Sequence, residues 1–106
     1  MIRSLYYSPG KPIRKDVSPK EFPKLIRDRR GLLWVDFLEE SPENCLPILQ
    51  SFGFHHLAID DALQETHAPK IDDWGNYLYI VLNYMNISEG GEYWETDMDE
   101  LDIFLG

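Results

Sequence analysis

Cys45 is the only cysteine in this chain of 106 residues. That excludes an intrachain disulfide and a zinc site built from several thiolates, and it fits a reducing compartment. Long apolar runs are also missing. Tyr77 to Leu82 is among the longest, far short of the ~18 residues that mark a membrane span. The start, MIRSLYYSPGK, lacks the apolar centre of a signal peptide, so the chain reads as a soluble one. Positive charge is scarce: ten Lys and Arg face nineteen Asp and Glu, for a net charge of -9. Such a surface repels nucleic acid and anionic lipid and concentrates cations, so a nucleic-acid partner is not expected. There is no Gly-x-Ser-x-Gly motif, no phosphate loop and no Gly-x-Gly-x-x-Gly, and an enzyme is not expected.

What is present suffices for one domain over residues 1–106, with 43% hydrophobic residues to build a modest core. Ile2 to Tyr7 predicts a first strand, closed by Ser8-Pro9-Gly10. Ser18-Pro19-Lys20-Glu21 has the order of a capping box, and Phe22, Leu25 and Ile26 follow at helical spacing, with Gly31 as a left-handed stop. Leu32 to Phe37 predicts a buried strand. Ser41-Pro42 opens a second helix lined by Leu46, Leu49 and Phe52 and ended by Gly53. Cys45 reads as a small buried or half-buried residue of that helix. A third helix is predicted over about His55 to Gln64. Strands follow at Lys70 to Trp74 and Tyr77 to Asn86, with a turn at Gly75-Asn76 between them. A hairpin loop is expected at Ser88 to Glu92. The return strand carries Trp94, Thr96 and Met98 in one phase and Leu101, Ile103 and Leu105 in the other, which predicts a bulge near Asp99-Glu100. The order points to an α/β fold, a mixed β-sheet flanked by helices in an α/β/α sandwich. Ile103 to Gly106 ends on an apolar strand with no return, so the chain reads as a fragment of a longer protein.

The chemistry of interest is the tandem pair Asp60 and Asp61. Successive helical side chains diverge by ~100°, so the two carboxylates do not share one proton as a protease dyad does. Aspartate is a poor helix former, and two in one short helix cost about 1 kcal/mol against alanine, which a bound cation would offset. A solvated helix face is the plain alternative. Magnesium, a hard ion that keeps its waters and takes one or two carboxylates, suits such a pair. His55, His56 and His67 read as surface or packing residues, with His55 and His56 diverging on a helix. Lys20, Lys24 and Arg27 form a basic stripe at helical spacing, continued by Arg29 and Arg30: a solvated face, or a dock for an acidic subunit or headgroups. Asp97, Asp99, Glu100 and Asp102 read as a solvated strand edge.

Several of these residues carry a family resemblance. Phe52-Gly53-Phe54-His55, Leu57-Ala58-Ile59-Asp60-Asp61, Pro69-Lys70-Ile71-Asp72 and the strand from Tyr77 to Leu82 resemble the N-terminal cytosolic domain of CorA-type magnesium transporters. That pattern has a Phe-Gly-x-His-Pro-Leu step, an acidic pair, an Arg-Pro-Lys step and an aromatic-led strand. Trp34-Val35-Asp36 and Leu101 to Leu105 are similar to two further strands of the family. Here His56 stands where proline is usual, Asp60 where glutamate is usual, and Ala68 where arginine is usual. The Gly-Met-Asn signature of the membrane part is missing, as are the stalk and membrane helices, so any membrane attachment would run through those missing C-terminal helices. The resemblance implies a regulatory domain on the cytoplasmic side of the cell membrane, in a homopentamer of identical subunits. It implies that Asp61, with Asp60 second, binds Mg2+ weakly at subunit boundaries. A zinc-transporting relative and a free-standing interaction module of the same fold are the alternatives.

Overall fold

A computed structural model of the chain describes residues 1–64 and 68–106, with the Glu95 side chain outside the described set. The chain divides into two compact units, Met1–Ile59 and Asp60–Gly106. Among the described residues the strands are β1 (Ile2–Tyr7), β2 (Arg14–Lys15), β3 (Leu32–Phe37), β4 (Lys70–Asp73), β5 (Leu78–Gly90) and β6 (Tyr93–Leu105), and the helices are α1 (Phe22–Leu25), α2 (Pro42–Ser51) and α3 (His56–Leu63).

In the Met1–Ile59 unit the sheet order is β2-β1-β3, all antiparallel. Period-2 alternation turns Ser4 and Tyr6 inward and Arg3, Leu5 and Tyr7 outward. The Ser4 hydroxyl donates to the Val17 carbonyl at 3.2 Å, which satisfies the one buried polar side chain of the core. Tyr6, Val17, Phe22 and Ile48 form that core, with Leu25, Leu33, Val35, Phe37 and Phe52 packed on it. β3 is less buried than its apolar run predicts. Leu32 and Trp34 lie on the outward face, paired with the exposed Tyr7 and Leu5.

The first helix is shorter than expected. A 3-10 turn over Pro19–Glu21 gives way to the four residues of α1, and Ser18 makes no capping bond. Pro23 is the reason. In a helix running on from Pro19 it lacks the amide for its i−4 bond, and its ring meets the i−4 carbonyl. Gly31 is not a left-handed stop, since its φ is not positive. It is glycine because a Cβ there would run into the Tyr6 ring and hydroxyl. In α2 the fully buried residues are Cys45, Ile48 and Leu49, a stripe turned slightly from Leu46. Burial raises the Cys45 thiol pKa. Gly53 ends the segment at φ +79°, as its position predicts.

In the Asp60–Gly106 unit the order is β4-β5-β6, again antiparallel. A single mixed sheet is therefore replaced by two antiparallel ones, while the α/β character holds. Gly75-Asn76 and Gly91-Glu92 are short turns, and strands joined that way pair antiparallel. The long connection through α1 sets β2 and β3 on opposite sides of β1, so they do not pair with each other, and the one through α2 and α3 joins strands of different sheets. β5 runs to Gly90, so the hairpin loop is two residues, with Gly91 at φ +62°. The register runs unbroken from Leu78↔Leu105 to Gly90↔Tyr93, and the expected bulge is absent. From Tyr84 to Glu89 both faces of β5 are exposed, so burial imposes no phase there.

Candidate functional site

β4 places Lys70 and Asp72 two residues apart, on the same face. The ladder sets Lys70 beside Val81 and Asp102, and Asp72 beside Tyr79 and Phe104. Tyr79 and Val81 are fully buried there, while Lys70, Asp72 and Asp102 are half-buried. The opposite face is aliphatic, with Ile71, Ile80 and Ile103 in one row and Leu82 opposite Leu101.

Three contacts organise the polar side. The Lys70 ammonium meets Asp61 Oδ2 at 2.9 Å and Asp72 Oδ2 at 2.9 Å. It also stands 5.3 Å from the centre of the Tyr79 ring, within cation-π range. The Tyr79 hydroxyl donates to Asp102 Oδ1 at 2.6 Å, the length expected of a bond to an ionised acceptor. Hydrogen bonds to Asp72 and Asp61 raise the Lys70 pKa. Burial, and then the Asp102 carboxylate, drive the Tyr79 pKa far above its ordinary value.

The tandem aspartates occupy unlike places. Asp60 is exposed, and its carboxylate has no hydrogen bond or ion pair among the described residues. Asp61 is half-buried with one oxygen on Lys70. They do diverge, as the helical angle requires. Among the described residues no three His, Cys, Asp or Glu side chains converge on a point that could hold a metal ion. What Asp60 and Asp61 offer is a few hard oxygen donors open to water. That suits an ion that retains most of its hydration, such as Mg2+, and not one that demands a closed nitrogen or sulfur cage.

His55 and His56 do not diverge: their rings stack with centroids 4.4 Å apart. His55 lies just outside α3, and its Nδ1 accepts the Leu57 amide at 3.1 Å, so it caps the helix instead of riding on it. His67 lies outside the described residues. The basic stripe is not one helix face either, because α1 ends at Leu25, before Arg27, Arg29 and Arg30. In the C-terminal acidic patch Asp102 turns to the buried side and serves Tyr79, and Asp99 accepts from Asn86 at 2.8 Å.

Sequence reading singled out Asp60 and Asp61 because they adjoin. It missed Asp72 and Asp102, and it took Lys70 only as part of a Pro-Lys step. One signal was available. Lys70 is the sole Lys or Arg after Arg30, facing twelve carboxylates in Asp60–Gly106. Nine of the ten cations lie in the first thirty residues.

Among the described residues no helix is long and apolar enough to cross a membrane. Comparison with known proteins places these features in context. A Bacillus subtilis (strain 168) protein named "Putative metal ion transporter YfjQ" is 36% identical over 73 residues, covering 69% of this chain and 21% of that protein. The chain thus spans about a fifth of the length of that relative. Residues 29–105 match the family model described as CorA-like Mg2+ transporter protein, a stretch that includes β3, the acidic pair, Lys70 and both long strands. On that match the chain belongs to the CorA-like Mg2+ transporter family.

Proposed function

We propose that this chain is a cytosolic regulatory portion of a CorA-like divalent-cation transporter and that it senses Mg2+ through Asp61, with Asp60 as the second ligand. The observation that carries the reading is the state of Asp61. Its carboxylate is half-buried, one oxygen is held by Lys70, and it sits within the family-matched segment. Such an oxygen donor is oriented without being sealed off. No catalytic residue is assigned, and the α/β/α sandwich of the resemblance belongs to this reading as well.

In the full assembly, a homopentamer at the cytoplasmic side of the cell membrane, these carboxylates would face a neighbouring identical subunit. Two unit charges of like sign repel by about 4 kcal/mol when roughly 4 Å apart at an effective dielectric of about 20. A hydrated dication between them replaces that repulsion with attraction. Moving a two-state equilibrium from 1:99 to 99:1 takes only ~5.5 kcal/mol, within reach of several such sites around a ring. High Mg2+ then favours the closed arrangement, and its loss releases it.

The test is limited proteolysis of the full-length gene product across a MgCl2 titration, with NaCl at matched ionic strength as control. Mg2+ is expected to protect wild type and to leave Asp61→Asn unprotected. Equal protection of both would refute a sensing role for Asp61.

A further inference from the structure

Lys70 has a property that the sensing role of Asp61 does not explain. The only cation of the Asp60–Gly106 unit is placed on the one member of the tandem pair that is half-buried, and it is bonded at the same time to a second carboxylate. Its two contacts are equal, 2.9 Å to Asp61 Oδ2 and 2.9 Å to Asp72 Oδ2. The lysine stem is flexible and the side chain is about one-third exposed, so the head can leave one carboxylate while keeping the other. Asp60, one residue away, has no such cation among the described residues.

We propose that Lys70 is a built-in competitor of the sensed dication. When the ion is absent, the ammonium neutralises Asp61 and ties α3 to β4. When the ion binds, it takes the Asp61 oxygen that the ammonium held, and Lys70 retracts onto Asp72 alone. The inference rests on the reading of Asp61 as a Mg2+ ligand. Its physical basis is charge: a dication in the inner shell of the Asp61 carboxylate at ~2.1 Å stands within roughly 4–5 Å of an ammonium bonded to the same carboxylate, and like charges at that separation repel. The lysine therefore sets the threshold: the ion must reach a concentration at which it outcompetes a charge that is always present. Asp72 makes the exchange cheap, because the displaced ammonium keeps a partner. The pair also restrains false triggering. Monovalent cations, with half the charge, have little advantage over an ammonium already in place.

The test uses the full-length protein with MgCl2 as the probe and NaCl at matched ionic strength as control. Wild type is compared with Lys70→Met, which keeps most of the stem and removes the charge, and with Asp61→Asn. The midpoint of Mg2+ protection is read for each. A second readout, which a purely structural lysine would not move, is the 15N-labelled ammonium resonance of Lys70 in wild type, assigned by its loss in the methionine variant. The expected result is a midpoint about three- to fivefold lower in Lys70→Met, a factor in keeping with partly exposed ion pairs. The ammonium resonance is expected to shift with Mg2+ at the same midpoint as protection. If the response depends on Asp61 yet Lys70→Met stays within twofold of wild type, or the ammonium resonance ignores Mg2+, competition is overturned and the sensing role stands. If Asp61→Asn responds like wild type, both fail. Should Lys70→Met not fold, Lys70→Gln takes its place for both the midpoint and the assignment of the resonance.

Discussion

Tyr79→Phe removes one oxygen from a ring that is otherwise 0% exposed, and its effect follows from the geometry around it. The hydroxyl donates to Asp102 Oδ1 at 2.6 Å, a bond to a charged acceptor. Bonds of that kind contribute ~1.5–3 kcal/mol. Asp102 is half-buried and partly recovers by taking water, which places the loss near the lower end, about 1.5–2 kcal/mol. Ring packing is retained, since Phe104 at 4.9 Å and Lys70 at 5.3 Å contact the ring and not the oxygen. The same bond has a signature in pH. Burial and Asp102 raise the Tyr79 pKa in the folded protein far above its unfolded value of about 10. The stabilisation from the neutral hydroxyl is fully present below about pH 10. Above it the unfolded state sheds the proton and the folded state does not, so stability falls by up to ~1.4 kcal/mol per pH unit. Phenylalanine has no proton to lose there. Urea denaturation at pH 7 should therefore show wild type ahead by about 1.5–2 kcal/mol, and a series to pH ~11.5 should show that lead vanish. Absorbance of ionised tyrosine identifies the titration. A pH 7 difference under ~0.5 kcal/mol, or a lead that stays constant to pH 11.5, refutes the account of this bond.

Two further outcomes test the Met1–Ile59 unit. Gly31→Ala should cost about 1–3 kcal/mol by overpacking, because its new methyl meets the buried Tyr6 ring and hydroxyl; in a Tyr6→Phe background, urea denaturation should give a smaller cost. Phe22→Ala should cost about 3–5 kcal/mol, since the ring is fully buried and stacks on Phe52 at 5.9 Å, and a midpoint unchanged in urea would show that the core lies elsewhere.

Much of this fold is written in local pattern. The alternation of Ile2 to Tyr7, the Ser41-Pro42 start and Gly53 stop of α2, and the turn at Gly75-Asn76 all appear where the residues predict them. The errors have a common form: each follows from a residue whose effect is not local in period. Phe22, Leu25 and Ile26 have helical spacing, but Pro23 among them keeps the 3-10 turn and α1 from being one helix. Gly31 looks like a helix stop, but its need for glycine comes from Tyr6, twenty-five residues away. The outer β5–β6 ribbon looks out of phase only if one assumes a buried face to define phase. The site shows the same limit. Adjacency made Asp60 and Asp61 a pair, whereas the contacts that give Asp61 its character come from Lys70 and, through it, Asp72.

The charge distribution shows why that arrangement matters. Twelve carboxylates and one lysine in a unit of this size leave no cations for most of the acids. On the ribbon this costs little. Glu89, Glu92, Asp97 and Asp99 are exposed, and water and salt screen them. Near Tyr79 and Val81 the case differs, because an unpaired carboxylate beside fully buried side chains bears a desolvation cost. Asp102 is served by the Tyr79 hydroxyl, and Asp61 and Asp72 by the same lysine. If another cation takes Asp61, the lysine is freed to neutralise Asp72 fully, and the whole cluster gains. A dication added at this place therefore relieves two carboxylates while binding one. The solvated ribbon offers no such arrangement, and on the proposed reading this is why an ion bound at Asp61 would act on the structure: the lysine it displaces keeps Asp72.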